Sequence, residues 1–300
     1  MGKIGKRWIV AALAVVLPLF IVVLALSASQ VAVICEVGSE GLPLSTYDLS
    51  AVPQSVAEDA TRLATERFGD YQEECDDFVC QLLATYSAAK DRDFIIFFNS
   101  GGWGWNLLEN TPGWQSIVTG IQTELNSLDY KLLSLDYMRT EASWRGRLDE
   151  LVERITGYPS KAKHLASRVE FLTKHNPGLR VILTGESTGT VICDSVMNIL
   201  GNNPQVYSIQ TGPPFWHEHI ALDRTLLLTG NGIVPDSFSQ GDFGAIVWGN
   251  LRYWFRLSQP EAHFDTTPHY VRAPGHDYWW QYPEVYSQIT DFLDKNFGIK

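Results

Sequence analysis

One serine lies in a sequence pattern that favours covalent chemistry. The segment Gly185-Glu186-Ser187-Thr188-Gly189 follows the apolar run RVILT and precedes a mostly apolar stretch. Glycine two residues before and two residues after the serine fits a turn that is too tight for side chains at those places. A serine held in strained backbone geometry can present its hydroxyl to an electrophile. Ser187 is therefore the predicted nucleophile, the alternative being a serine that caps a helix in a glycine-rich turn.

A serine hydroxyl is a poor nucleophile until a neighbouring imidazole accepts its proton. His276 stands in the segment HYVRAPGHDY, where a short predicted strand is followed by Pro-Gly, the histidine and a terminal helix. It is the favoured base, the alternative being a histidine with an ordinary structural role. Four other histidines lie in a loop rich in proline and aromatic residues or on a predicted helix: His217, His219, His164 and His175.

The serine turn resembles the nucleophile elbow of the α/β-hydrolase superfamily, in which G-x-S-x-G joins a strand to a helix. The resemblance covers about residues 90 to 297. It implies a triad in the chain order Ser, Asp, His, with the histidine after the last strand, where His276 lies. It also implies a serine hydrolase that acts on a carboxylic ester through an acyl-serine intermediate and needs no cofactor.

The resemblance places the acid of the triad after the predicted strand Thr225–Thr229. At the position where many members of the superfamily have aspartate, this chain has Asn231 and Gly232. Asp236 is the nearest carboxylate and is the predicted acid, whereas Asp242 is the next along the chain. Asn231 is a further candidate, because an amide can orient an imidazole although it stabilises an imidazolium less well. Alternatively, Asp236 only caps the turn after a proline.

Acyl transfer builds negative charge on the carbonyl oxygen of the substrate, and fixed backbone N–H groups can stabilise it. The family resemblance implies one donor from the residue after the nucleophile, here Thr188, and another from a loop after an earlier strand. Asn99-Ser100-Gly101-Gly102-Trp103-Gly104 follows the apolar run FIIFF and is similar to the H-G-G-G loop, with Asn-Ser in place of the leading histidine. The second donor is predicted to be the amide of Gly102 or Trp103, the alternative being an ordinary glycine-rich turn.

Aromatic side chains follow several predicted strands: Trp103, Trp105, Trp114, Phe215, Trp216, Trp279 and Trp280. They could line an apolar pocket for an acyl or aryl group, or they could simply pack against the sheet. A lipid ester and a small-molecule ester both suit such a pocket. The sequence contains no metal-ligand set and no phosphate-binding loop, so no metal or nucleotide cofactor is predicted.

The elements that must position these residues alternate between strands and helices. Short apolar runs at Phe94–Phe98, Lys131–Tyr137, Arg180–Thr184, Gln205–Gln210 and Thr225–Thr229 read as strands, and a last short strand is predicted at His269–Ala273. Helices are predicted from about Asp48 to Ala89 and over Trp114–Leu125, Ser160–His175, Thr190–Leu200 and Glu284–Asn296, with Ser160 as an N-cap. This alternation predicts an α/β fold with a mostly parallel sheet covered on both faces. Residues 237 to 268 fit neither type and are predicted to form an aromatic lid or excursion.

The N-terminal residues predict a targeting segment, residues 1–30, ahead of a single catalytic domain over residues 31–300. Lys3, Lys6 and Arg7 precede nineteen apolar residues from Trp8 to Leu26, enough for a helix that spans the hydrocarbon core of a membrane. The basic residues favour a cytoplasmic N-terminus and a translocated domain. An uncleaved membrane anchor is favoured, with cleavage at LSAS and secretion as the alternative.

The charge and the cysteines limit the remaining possibilities. The 300-residue chain has a formal net charge of −11, which argues against a nucleic-acid binder. Cys75 and Cys80 either form a small disulfide loop or are two free thiols on one helix, and Cys193 is predicted to lie in the core. Besides the esterase, the sequence leaves open a thioesterase or acyltransferase at the same site, and a tethered binding domain that has lost a working acid.

Overall fold

The computed structural model describes residues 36–38, 49–140, 144–219, 221–255 and 273–298. The predicted N-terminal segment lies outside these ranges, as does most of the predicted strand His269–Ala273. Within the described ranges no helix combines the length and the apolar character needed to cross a membrane.

The centre of the described structure is a six-stranded sheet with the order β1-β3-β2-β4-β5-β6. Its strands are β1 (Glu36–Gly38), β2 (Phe94–Asn99), β3 (Leu132–Tyr137), β4 (Arg180–Glu186), β5 (Val206–Thr211) and β6 (Thr225–Leu228). Strands β2 to β6 are parallel to their neighbours, and β1 pairs with β3 in the antiparallel direction. The predicted mostly parallel sheet is confirmed, and its five parallel strands all end at the same edge.

Eight α-helices surround the sheet in the described residues. They are α1 (Gln54–Phe68), α2 (Gln72–Ala89), α3 (Pro112–Ser127), α4 (Trp144–Thr156), α5 (Pro159–His175), α6 (Thr188–Ile199), α7 (Phe243–Trp254) and α8 (Pro283–Phe297). Both faces of the sheet are covered, since alternate residues of β2 point into two separate cores. Ile95 and Phe97 pack with α1, α2, α5 and α6, and Phe94, Ile96 and Phe98 pack with α3 and α8. This burial on both faces explains why β2 is apolar from Phe94 to Phe98.

Several helix predictions need correction. The predicted helix from Asp48 to Ala89 is two helices, α1 and α2, which are separated at Gly69 by a positive φ angle of 62°. Ser160 is not an N-cap, because α5 begins at Pro159, with the left-handed residue Tyr158 in the cap position. Two helices were not predicted, α4 and α7. Helix α7 lies within residues 237 to 268, so the prediction that this segment contains no helix is wrong. The α7 sequence, FGAIVWGNLRYW, is mostly apolar and contains two glycines. It therefore lacks the regular polar face by which an amphipathic helix is identified.

The cysteines of α2 are free thiols, so the structure contains no Cys75–Cys80 disulfide. Both residues lie on one continuous helix, which is the second of the two possibilities left open by the sequence. Cys75 is buried and Cys80 is exposed, whereas Cys193 is fully buried as predicted.

Candidate active site

Ser187 occupies a sharp turn between β4 and α6. Its backbone angles are φ 51° and ψ −120°, a conformation that a residue with a side chain rarely adopts. The motif glycine Gly189 is required by close packing, since a Cβ atom there would overlap the carbonyl oxygen of Asn99. Strain of this kind persists only where the surrounding structure enforces it, and it is common at functional sites. The turn predicted from the sequence is therefore present, with the side chain almost buried.

His276 is hydrogen-bonded to Asp236. The imidazole Nδ1 lies 2.9 Å from Asp236 Oδ2 and 3.1 Å from Oδ1, and the carboxylate is completely buried. A carboxylate can only accept, so Nδ1 carries the hydrogen and a neutral ring has its lone pair on Nε2. The hydroxyl of Tyr278 donates to Asp236 Oδ2 at 2.8 Å, and Ser239 Oγ donates at the same distance. The carboxylate is thus held in place from several sides.

The surroundings of Asp236 favour its charged form. Burial raises the pKa of this carboxyl, but the hydrogen bond and the charge interaction with His276, together with hydrogen bonds from Ser239, more than offset it. The pKa of Asp236 therefore lies below its usual range. A carboxylate that stays ionised can hold the imidazole in one tautomer and stabilise the imidazolium when it forms.

Gly212 lies between the serine turn and the imidazole. The Ser187 amide donates to the carbonyl oxygen of Thr211 at 2.9 Å, which joins the turn to the end of β5. Gly212 has a φ of 60°, and a Cβ atom there would lie 2.6 Å from His276 Cε1. Only glycine lets the ring approach this closely. Among the described residues, Ser187 Oγ makes no hydrogen bond to the ring; catalytic hydrogen bonds often form only when substrate is bound.

The other candidate acids have different partners. Asn231 donates its side-chain amide to Asp277, at 3.0 Å to the carbonyl oxygen and 3.1 Å to Oδ1. Asp242 accepts the amide of Ala245 at 2.9 Å and so caps α7. Of the three candidates in the sequence, the structure brings only Asp236 to the imidazole.

The predicted oxyanion donors lie beside the serine. The loop after β2 passes close to Ser187, since a Cβ atom at Gly101 would lie 3.1 Å from Ser187 Cβ. The Gly101 amide donates to Glu186 Oε2 at 3.2 Å and is therefore occupied. Among the described residues, the amides of Gly102, Trp103 and Thr188 have no acceptor. These are the three amides that the sequence proposed, and all remain available to an anionic oxygen.

The aromatic residues named from the sequence fall into separate groups. Phe238 packs on His276 with 4.8 Å between ring centroids, and the half-exposed Phe215 and Trp216 pack on Phe238. Trp103 and Trp105 stack on each other in the predicted oxyanion loop, 6.0 Å apart. Three tryptophans do not fit the prediction of a shared pocket, because they lie in or against the core formed by α3 and α8: Trp114, Trp279 and Trp280.

Two polar clusters near the site were not recognised in the sequence. Asp194 on α6 accepts hydrogen bonds from His217 at 2.8 Å and His219 at 2.7 Å. Arg139 and Glu150 form a completely buried ion pair at 3.0 Å beneath the oxyanion loop. Neither has a sequence signature, because the partners come from separate elements. Within the described ranges no group of three or more His, Cys, Asp or Glu side chains is arranged to hold a metal ion.

Comparisons with known proteins give a structural match and no sequence match. No family model matches the chain, and no curated protein is significantly similar to it. One similar solved structure is a Trichoderma reesei cutinase in complex with a C11Y4 phosphonate inhibitor. It is 15% identical, with a TM-score of 0.35, and the match covers 64% of this chain and 82% of the cutinase chain. At this identity the function has to be inferred from the residues of the site.

Proposed function

We propose that the chain is a serine hydrolase that cleaves a carboxylic ester through an acyl-Ser187 intermediate. The observation that carries this proposal is the strained Ser187 turn beside an imidazole that is itself hydrogen-bonded to a buried carboxylate. A structural serine needs neither the strain nor the oriented base. The proposal places the chain in the α/β-hydrolase superfamily, which the parallel sheet and the strand-to-helix turn support.

The proposed reaction begins with attack of Ser187 Oγ on the ester carbonyl carbon while His276 Nε2 takes the hydroxyl proton. The negative carbonyl oxygen accepts hydrogen bonds from the Thr188 amide and from the amide of Gly102 or Trp103. When the tetrahedral intermediate collapses, the alcohol leaves with the proton from His276. Water then attacks the acyl carbon while His276 Nε2 takes its proton. The second tetrahedral intermediate collapses as the bond to Ser187 Oγ breaks, the proton returns to that oxygen and the acid is released.

Apolar esters are the substrates that the surroundings of His276 favour. The rings of Phe215, Trp216 and Phe238 form a continuous aromatic group next to the imidazole. An apolar acyl or aryl group would be removed from water against these rings, which contributes about 25 cal/mol for each Å² buried. Both a lipid ester and a small-molecule ester satisfy this requirement.

A series of p-nitrophenyl esters tests the proposal. The full-length chain in detergent should hydrolyse them, with kcat/KM rising from acetyl to octanoyl because longer acyl chains bury more apolar surface. Ser187→Ala should remove the activity. Ser195→Ala is the matched control, because Ser195 lies on α6, the helix that follows Ser187, and its hydroxyl donates to the Val191 carbonyl oxygen. Turnover retained in Ser187→Ala would contradict the proposal.

The location of the domain is part of the same proposal. Residues 8–26 would anchor the chain in a membrane, with the catalytic domain outside the cytoplasm, or the chain would be secreted after cleavage. Cys80 is exposed and free, so it can report the side of the membrane. A membrane-impermeant thiol reagent added outside intact cells should label the wild type more than Cys80→Ser. The orientation would be contradicted if the wild type and Cys80→Ser were labelled equally in intact cells and Cys80 reacted only after the cells were lysed.

Thioesterase or acyltransferase activity on the same site follows if a thioester is the substrate or an alcohol replaces water in the second step. The other candidate, a tethered binding domain, would require an imidazole without a working acid. The 2.9 Å contact between His276 and Asp236 favours catalysis over that reading.

A further inference from the structure

The loop that carries the proposed oxyanion donors is fixed by one buried arginine. Arg139 follows β3 and is completely buried. Its guanidinium donates to the Ser100 carbonyl oxygen, to the Gly102 carbonyl oxygen at 3.1 Å and to Thr188 Oγ1 at 2.9 Å. One side chain therefore binds both the oxyanion loop and the first residue of the nucleophile's helix.

The second half of this arrangement is Glu150 on α4, also completely buried. Glu150 Oε1 accepts from Arg139 Nε at 3.0 Å and from the Tyr158 hydroxyl at 2.8 Å. Its Oε2 accepts from Thr140 Oγ1 at 2.7 Å. Both carboxylate oxygens are thus satisfied, and the guanidinium is held with its outer nitrogens directed at the loop.

The geometry of the peptide unit connects this pair to the oxyanion site. In a trans peptide the C=O and the N–H point in opposite directions. Holding the Gly102 carbonyl oxygen against Arg139 therefore directs the Trp103 N–H away from the guanidinium. The peptide between Ser100 and Gly101 has the same arrangement. Its carbonyl oxygen accepts from Arg139, and its N–H donates to Glu186 Oε2 on the opposite side. The orientation of the loop amides thus depends on where Arg139 holds the carbonyl oxygens.

A buried ion pair of this kind is poorly explained by stability alone. Removing two charges from water costs several kcal/mol for each ion, and apolar replacements of buried pairs are often equally stable or more stable. A planar guanidinium with its fixed fork, in contrast, can hold several oxygens in a defined arrangement. This is what a loop needs if its amides must be preorganised for an anion.

We infer that Arg139 and Glu150 are positioning residues that preorganise the oxyanion hole for the transition state, without contacting the substrate. The inference rests on the proposed function and deepens it. Arg154 and Thr188 Oγ1 also donate to the Gly102 carbonyl oxygen, at 2.8 Å and 3.0 Å. Arg154 supports the loop from its exposed side, and Thr188 supports it from the buried side.

The test uses Arg139→Lys and Glu150→Gln in the full-length chain, with p-nitrophenyl octanoate as the ester. Lysine keeps the charge but cannot reach several oxygens at once, and glutamine leaves the guanidinium without its counter-charge. Each variant should lose about 10- to 100-fold in kcat with KM changed by less than about 3-fold, because the lost interaction acts in the transition state. The inhibition constant of an alkyl boronic acid, which forms a tetrahedral anion on the serine, should rise by a similar factor.

Arg168→Met is the matched control. Arg168 is also a buried arginine, but it bonds to Gln81 and His164 on the helices away from the site. It should lower the midpoint of thermal unfolding while kcat of the folded protein stays unchanged. Should Arg139→Lys fail to fold, Thr188→Val provides a milder test. It removes the two hydrogen bonds of the Thr188 hydroxyl, to Arg139 and to the Gly102 carbonyl oxygen, with an expected loss of about 3- to 10-fold in kcat.

Unchanged kcat and unchanged boronic acid inhibition in the folded variants would overturn the inference. That result is distinguishable from failure of the proposed function, since an inactive wild type would overturn the proposed function and this inference together. An active wild type with fully active variants would overturn the inference alone.

Discussion

Among the described residues, two buried aspartates bind imidazoles, and one of these imidazoles lies against Gly212, which follows the residue bonded to the strained Ser187. Asp236 binds His276 at 2.9 Å. Asp194 binds His217 at 2.8 Å and His219 at 2.7 Å. In both, burial raises the pKa of the carboxyl. Hydrogen bonds from the histidines and from Ser239 or Gln210, together with the charge interaction with an imidazole, outweigh burial, so that the pKa is lowered.

The difference between the two clusters is what surrounds the imidazole. The His276 ring lies against Gly212, next to the residue that accepts the Ser187 amide. Asp194 ties α6 to the loop after β5 and also accepts from Gln210 Nε2 at 2.8 Å. A histidine–aspartate pair is therefore a stabilising contact in one place and a proposed catalytic pair in the other. The strained serine turn near His276 is what distinguishes them.

The largest expected effect separates the two clusters by activity. His276→Ala should lower kcat/KM for the octanoyl ester by about 10⁴-fold or more, because the serine loses its base. His217→Ala, the matched control in the other cluster, should retain activity within about 3-fold. Equal losses in both variants, measured on folded protein, would show that the comparison is wrong.

Replacing the two aspartates should give the next largest contrast. Asp236→Asn should lower kcat by about 10² to 10⁴-fold, because an amide can hold the wrong tautomer of His276. Asp194→Asn should instead lower the free energy of unfolding by about 1 to 3 kcal/mol, through weaker hydrogen bonds to two imidazoles. Steady-state kinetics and urea unfolding of both variants measure this. A loss of activity larger in Asp194→Asn than in Asp236→Asn would reverse the assignment.

A third buried aspartate, Asp136, has a backbone amide and no imidazole as its described hydrogen-bond partner. Asp136 accepts the Leu108 amide at 2.7 Å. Burial raises its pKa to about 6, only partly offset by this hydrogen bond. Since the folded-state pKa lies above the unfolded value, Asp136 contributes stability that is fully present below about pH 4 and is lost as the pH rises through 6.

Asp136→Asn should therefore stabilise the chain above pH 7, by up to about 3 kcal/mol, and change little near pH 4. Urea unfolding at the two pH values measures the difference. A stabilisation that is the same at both pH values would show that the carboxyl is not perturbed in this direction.

The smallest expected effect concerns the thermal stability of the chain at acidic pH. The lowered pKa of Asp194 contributes stability that is present above the unfolded pKa and is lost as the pH falls through the folded one. In Asp194→Asn the midpoint of thermal unfolding should therefore fall less steeply with decreasing pH below about pH 4 than in the wild type. Thermal unfolding followed from pH 7 to pH 3 checks this, and an unchanged slope would contradict it.

The sequence predicts the fold well where one short segment contains the whole signal. The apolar run FIIFF is recognisable as a buried strand, and G-x-S-x-G contains both glycines that its turn requires. The predicted acid, Asp236, has a weaker sequence signal, because its distance from the end of β6 differs from the usual pattern. The structure provides what the sequence could not, a 2.9 Å contact across 40 residues.

The two missed clusters show the same limit more clearly. Arg139 and Glu150 are eleven residues apart, and their significance depends on the carbonyl groups of a loop some forty residues earlier. Helix α7 was missed for a different reason, since its polar residues do not follow a helical period. Local patterns predict elements and turns, whereas contacts between distant elements require the assembled structure.

The most direct test of the account is labelling of the full-length chain with a fluorophosphonate, followed by mapping of the adduct by mass spectrometry. We expect one adduct, on Ser187, that is lost in Ser187→Ala, forms much more slowly in His276→Ala and is unchanged in His217→Ala. Folded protein without an adduct on Ser187, or labelling at the same rate in His276→Ala, would contradict the claim that this serine is an activated nucleophile.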